Sequence, residues 1–186
     1  MEHLTELYIK LIKRQIKGFI ACPDGELAPL KGLGRKISLY SGSFNPLHDG
    51  HKSVFNAIQG DKYFEISIER RDKDSLEHDE LAKRISQFKW YAPIIVTNAP
   101  KYLDKIKIFG KKSLIFHIGI DTARRILQDD DIKTIEKMNA KFIVYDRRID
   151  GVLRSLRNLR KVPKNFIQGS TPDIKYLHVN STELRK

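Results

Sequence analysis

Three observations predict an α/β domain: a doubly wound, mostly parallel sheet with helices on both faces, preceded by an N-terminal helix. Short apolar runs recur from residue 36 onward. Amphipathic stretches of helical period separate them. The first run leads directly into SGSFNPLHDGHKSV (41–54), a loop too rich in glycine, proline and histidine for a plain turn.

The elements follow in order. In the N-terminal segment, Leu4, Leu7, Tyr8, Leu11, Ile12 and Ile16 fall near one helical face, with Lys10, Lys13, Arg14 and Lys17 largely elsewhere. This predicts a helix docked on the domain with its lysines solvated, ended by Gly18. A basic helix lying on a membrane or nucleic acid is the rival reading. ACPDGELAPLKGLGRK (21–36) is dense in Pro and Gly and reads as a linker, so 1–35 is taken as helix plus linker and 36–186 as the main domain. KISLYS is then a strand, DGHKSVFNAIQ a helix, KYFEISI a strand and LEHDELAKRISQF a helix. PIIVTNA and LIFHI are further strands, DTARRIL and DIKTIEKMNA helices, and KFIVY and YLHV the last strands. In the usual strand order, 3-2-1-4-5, KISLYS is strand 1 and LIFHI strand 4. The loops GSFNPLHDGH and GIDTAR then face each other across the switch point, where such sheets bind ligands.

Composition bounds the function. The 186 residues suit one domain, and 40% hydrophobic content supports a real core. The 35 Lys+Arg against 23 Asp+Glu give +12, which suggests an anionic partner without choosing among nucleotide, nucleic acid and acidic membrane. The single cysteine, Cys22, excludes an internal disulfide and fits a reducing, cytoplasmic setting. No apolar run spans a bilayer, and residues 1–19 lack the pattern of a secretory signal.

The first loop has the makings of a phosphate site. Gly42 lacks a Cβ, so backbone can approach a bulky anion. Pro46 fixes the turn. Gly50 stands where the helix begins, so free N–H groups and the positive end of the helix dipole meet whatever lies in the crevice. His48 and His51 share one side of that first turn. Imidazoles donate hydrogen bonds to phosphate and can gain charge near neutral pH.

G-S-F-N-P-x-H-x-G-H at 42–51 resembles the signature loop of the nucleotidylyltransferase superfamily of the HxGH type, especially its nicotinamide-nucleotide adenylyltransferase branch. Eight fixed residues coincide by chance on the order of 10^-10 per starting position. VNSTELR near the end matches the family's S-T-x-x-R element with Ser181, Thr182 and Arg185, and Gly119 and Asp121 match its G-x-D turn. The resemblance covers about residues 36–186 and implies a Rossmann-like fold. It also implies nucleotidyl transfer from a nucleoside triphosphate, with ATP the first expectation, to a phosphorylated small-molecule acceptor such as nicotinamide mononucleotide. Pyrophosphate leaves, and Mg2+ arrives on the triphosphate. By the same resemblance Gly42, Ser43 and Phe44 approach the α-phosphate, with Gly50 at the helix start. His48 and His51 bind the triphosphate, as do Ser181, Thr182 and Arg185. Gly119 and Asp121 meet the ribose or base. A cytidylyltransferase, or an adenylyltransferase acting on another acceptor, stays open. So does an inactive, basic nucleic-acid-binding module.

Other stretches carry rival readings. ERRDKDSLEHDE stands where many relatives have a proline-rich histidine-lysine stretch, and Arg70, Arg71 or Lys73 there are candidates for the acceptor's phosphate. His117, inside LIFHI, reads as a core-edge residue rather than a catalyst, and Asp121 reads equally as a helix cap. RSLRNLRKVPK (154–164) reads as an amphipathic surface helix burying Val152, Leu153, Leu156 and Leu159, in preference to a nucleic-acid track. Trp90 reads as a packing residue in preference to a platform for a nicotinamide ring.

Overall fold

A computed structural model describes residues 2–69, 74–129, 132–137, 139–149 and 152–170. In chain order the elements are α1 (Glu2–Ile12), β1 (Gly18–Ala21), β2 (Leu27–Pro29), β3 (Lys36–Ser41), α2 (Asp49–Ala57), β4 (Lys62–Ser67), α3 (His78–Ser86) and β5 (Ile94–Thr97). There follow α4 (Tyr102–Phe109), β6 (Ser113–Gly119), α5 (Ile120–Asp129), α6 (Ile132–Lys137), β7 (Ala140–Tyr145), β8 (Arg147–Ile149), β9 (Val152–Arg154) and β10 (Phe166–Gln168). Among the described residues the main sheet runs β10-β7-β6-β3-β4-β5-β1-β2, and β8 pairs only with β9. The predicted order lies inside it as β5-β4-β3-β6-β7, all parallel. The fold is therefore α/β, Rossmann-like and mostly parallel, with the N-terminal helix in place.

Two apolar layers hold the sheet. On one face, Phe55 of α2, Leu81 of α3 and Leu11 of α1 pack with Phe64, Ile66, Ile94 and Val96. On the other, Tyr102, Ile106 and Phe109 of α4, Ala123 and Ile126 of α5 and Ile135 of α6 pack with Ile37, Leu39, Phe116 and Phe142. Phe64 is fully buried and stacks on Phe55 at 4.0 Å. Burying such a ring contributes roughly 1.5–3 kcal/mol. The α1 helix docks as expected: Leu11 is buried, Tyr8 donates to the Leu76 carbonyl at 2.8 Å, and Lys13, Arg14 and Lys17 are exposed.

Several segments differ from expectation. The stretch read as a linker folds into the hairpin β1–β2, and β1 adds antiparallel to β5. Its loop is Pro23-Asp24-Gly25: the Gly25 amide donates to the Cys22 carbonyl at 3.0 Å, and Gly25 takes the left-handed position at φ +96°, a three-residue hairpin that reads in sequence as part of a linker. Gly18 does not cap α1. It opens β1, where a Cβ would stand 2.5 Å from the Val96 carbonyl oxygen. The helix α4 was not anticipated, although Tyr102, Ile106 and Phe109 have helical spacing and Gly110 follows at φ +63°. The hairpin β8–β9 and the strand β10 were also missed. Residues 152–160 form no α-helix: β9 leads into a 3-10 turn, Leu156–Asn158. Val152 and Leu153 are exposed while Leu156 is buried, so Arg154, Arg157 and Arg160 do not share a helical face. Trp90 does not pack either. It is 76% exposed, and its amide donates to Pro23, at the end of the sheet opposite the carboxyl ends of the parallel strands. The expected strand YLHV lies outside the described residues.

Behind the crevice, on the α4 side, Lys105 Nζ lies 2.7 Å from Glu65 Oε1, with both side chains buried. Thr97 Oγ1 donates to the same oxygen at 2.7 Å. This ties α4 to β4 and β5 directly beneath the loop that follows β3.

Candidate active site

The loop after β3 is held by the core beneath it and by α3 beside it. Phe44, at φ 43°, buries its ring among Tyr40, Phe64 and Phe88. Arg84 donates to the Ser43 carbonyl at 2.9 Å and is itself held by Glu80. Gln87 donates to the Phe44 carbonyl at 3.0 Å and accepts from the Leu47 amide at 2.7 Å. Arg84 and Gln87 are positioning residues that the sequence reading did not single out. Their signal was only their place on the helical face of LEHDELAKRISQF.

Gly42 needs its missing Cβ for a different reason from the one expected. A Cβ there would lie 2.8 Å from the Phe44 ring, so the glycine makes room for the core anchor. Phe44 itself, 1% exposed, offers a ligand only its backbone. Gly42 and Ser43 are exposed at the crevice.

His48 is the N-cap of α2, Gly50 lies in the first turn and His51 is the third helical residue. The two imidazoles stack with centroids 3.7 Å apart. The His48 amide donates to His51 Nδ1 at 3.4 Å, which puts the neutral ring's proton on Nε2. His48 Nδ1 is buried without a partner among the described residues. Burial pushes His51 down to about 3, with His48 and the Arg147 charge adding to the effect. Burial and Arg147 also lower His48. In the unliganded protein both rings are therefore neutral N–H donors at neutral pH, not the readily charged groups expected from sequence.

β6 is adjacent to β3 and ends at Gly119, from which α5 starts without an intervening loop. A Cβ built on Gly119 meets nothing within 4 Å among the described residues, so their packing does not require the glycine. Asp121, in the first turn of α5, accepts from Arg147 of β8 at 2.9 Å. Arg147 was missed by the sequence reading. Its signal is its place just past KFIVY, at the carboxyl end of the strand next to β6. Arg147 joins the two expected loops, since it is bonded to Asp121 and its charge bears on both His48 and His51. His117 is buried as expected, with Nδ1 2.8 Å from the Tyr145 hydroxyl. Arg70, Arg71, Lys73, Ser181, Thr182 and Arg185 lie outside the described residues. Among the described residues no group of three or more His, Cys, Asp or Glu side chains is placed to hold a metal ion. No helix among them is long and apolar enough to cross a membrane.

No protein-family model matches the chain. A curated protein of Fusobacterium nucleatum, described as a probable nicotinate-nucleotide adenylyltransferase, is 25% identical over 173 residues, covering 81% of this chain and 86% of its own length. This similarity supports the resemblance, read from the loop at 42–51, to the nicotinamide-nucleotide adenylyltransferase-like branch of the nucleotidylyltransferases. A solved structure has the same fold at a TM-score of 0.54 and 17% identity, covering 82% of this chain and 83% of its own. It is the Plasmodium falciparum nicotinic acid mononucleotide adenylyltransferase complexed with APC. In this chain, the loop after β3 and the turn after β6 flank the switch point of the sheet, the place where open α/β sheets bind ligands.

Proposed function

We propose that the chain transfers an adenylyl group from ATP to a pyridine mononucleotide, nicotinate mononucleotide in the first place, and releases pyrophosphate. The observation that carries this reading is the position of Arg147, which is bonded to Asp121 after β6 while its charge bears on both imidazoles at the N-terminus of α2. The nicotinate form is favoured over nicotinamide because both similar proteins are named for nicotinate or nicotinic acid mononucleotide.

The acceptor's phosphate would attack the α-phosphorus in line, and pyrophosphate would leave. No covalent enzyme intermediate is needed, so catalysis is alignment plus electrostatic stabilisation. The backbone of Gly42, Ser43 and Phe44 approaches the α-phosphate. His48, His51 and the Gly50 turn donate to the triphosphate. His51 Nε2–H is already fixed as a donor by its own Nδ1 contact. Arg147 adds a charge to that set, and by the resemblance Ser181, Thr182 and Arg185 join it. Gly119 and Asp121 serve the ribose or base, and Arg70 and Arg71 the acceptor's phosphate. Mg2+ would travel on the triphosphate and offset its charge. That suits a crevice whose one named carboxylate, Asp121, is engaged by Arg147. The site of action would be the cytoplasm. A nucleic-acid-binding role is disfavoured because the arginines of 154–160 form no helical track.

The test is a screen of the four nucleoside triphosphates against nicotinate mononucleotide, nicotinamide mononucleotide and other phosphorylated acceptors with Mg2+, reading pyrophosphate. ATP with nicotinate mononucleotide should release most. Release with CTP and a non-pyridine acceptor alone would replace this reading with the cytidylyltransferase one.

A further inference from the structure

His117 has one bonded nitrogen and one that is not. Nδ1 lies 2.8 Å from the Tyr145 hydroxyl, and the two rings stack at 5.9 Å. Nε2 is buried without a hydrogen-bond partner among the described residues, in a side chain only 7% exposed. Native interiors rarely leave such a group unmet. Phenol is the better donor and imidazole nitrogen the better acceptor, so Tyr145 donates to Nδ1 and the ring proton resides on Nε2. Burial holds His117 down to about 4 and pushes Tyr145 up to about 12, so both are neutral at neutral pH. Nε2–H is then a fixed donor with no acceptor among the described residues.

Its position points to a ligand. In register, His117 stands beside Tyr40 of β3 on one side and Ile143 of β7 on the other. Tyr40 lies ring to ring with His51 at 6.0 Å, and the charge of Arg147 bears on its phenol. His117 therefore lies among the residues that join the phosphate loop to Asp121, two positions before Gly119. It is a buried histidine beside the phosphate loop, with one nitrogen unmet among the described residues.

We propose that His117 is a further nucleotide-binding residue, its Nε2–H donating to a phosphate or ribose oxygen of the nucleoside triphosphate while Tyr145 fixes the tautomer. The identity of the ligand rests on the adenylyltransferase reading. The test uses the full chain and three probes: α,β-methylene ATP, adenosine and inorganic tripolyphosphate. His117→Asn keeps an acceptor for Tyr145 and removes the donor. His117→Gln restores an N–H near the Nε2 position. The Asn variant should bind the ATP analogue at least tenfold more weakly, with an unchanged or raised unfolding midpoint. The Gln variant should stay within about threefold of wild type. In wild-type protein the His117 Nε2–H resonance should move when the analogue binds, which needs no variant to fold. A shift with tripolyphosphate assigns the contact to phosphate, and a shift only with adenosine-containing probes assigns it to ribose. Wild type that binds the analogue, with an unaffected Asn variant and an unmoved resonance, overturns this proposal alone. Wild type that binds no probe overturns the functional reading and this proposal with it.

Discussion

Arg147 donates to Asp121 across 2.9 Å, from the segment after β7 to the turn after β6. Each side chain is about one-third exposed, so the pair lies at the surface rather than in the core. Arg147→Ala should raise the KM for ATP by about ten- to a hundredfold, as loss of a charge-assisted phosphate contact does. It should also let His48 and His51 titrate higher, since Arg147 is a cause of both depressed values. Steady-state kinetics and histidine NMR titration check the two effects. Unchanged KM with unchanged histidine titration would remove Arg147 from the site.

His51→Ala should lower kcat by about a hundred- to a thousandfold, the usual loss for a preorganised donor to developing charge. Because His51 stacks on His48 and meets Tyr40 and Phe44, some packing is lost too. A modest fall in the unfolding midpoint is therefore expected, and calorimetry separates it from the loss of turnover.

Gly42→Ala should damage stability and nucleotide affinity together. Its Cβ would press on the Phe44 ring at 2.8 Å, and the ring is walled in by Phe64 and Phe88. Overpacking of this kind costs about 1–3 kcal/mol. Denaturant melts and nucleotide titration of the same variant check it. An unaffected melt would show that the ring has room to move.

Much of this was legible in sequence, and the rest was hidden for physical reasons. The β-α alternation from Lys36 onward carries its own period, and the loop at 42–51 carries glycines and histidines that a core does not need. The hairpin at 18–29 was obscured because the Pro and Gly that build a tight turn also build a linker. Residues 152–160 have helical spacing, but tertiary pairing of β9 with β8 wins there. Arg147 had only its place just past KFIVY as a signal, and nothing local distinguishes an arginine after a strand from a solvated one. Only the neighbouring strand end, brought alongside in the sheet, gives it Asp121 as a partner.

Stability should fall as pH drops. His51 and His117 are held near 3 and 4 in the folded chain, against 6.5 when unfolded. Below pH 6.5 the unfolded state then binds more protons, so each group removes stability progressively until its folded value is reached. Unfolding midpoints measured from pH 7 to pH 4 should decline for wild type and less steeply for His117→Leu. Parallel curves would mean that His117 titrates normally in the fold.

The central claim is that one crevice, formed by the loop after β3, the turn after β6 and Arg147, brings ATP and a mononucleotide together for in-line transfer. The most direct measurement is pyrophosphate release from ATP, with Mg2+ and nicotinate mononucleotide, by wild type and by the His51→Ala and Arg147→Ala variants side by side. The account expects release by wild type, matched mole for mole by dinucleotide, and its near loss in both variants. Wild-type rates in both variants, or folded wild type that releases no pyrophosphate with any donor and acceptor, would contradict it.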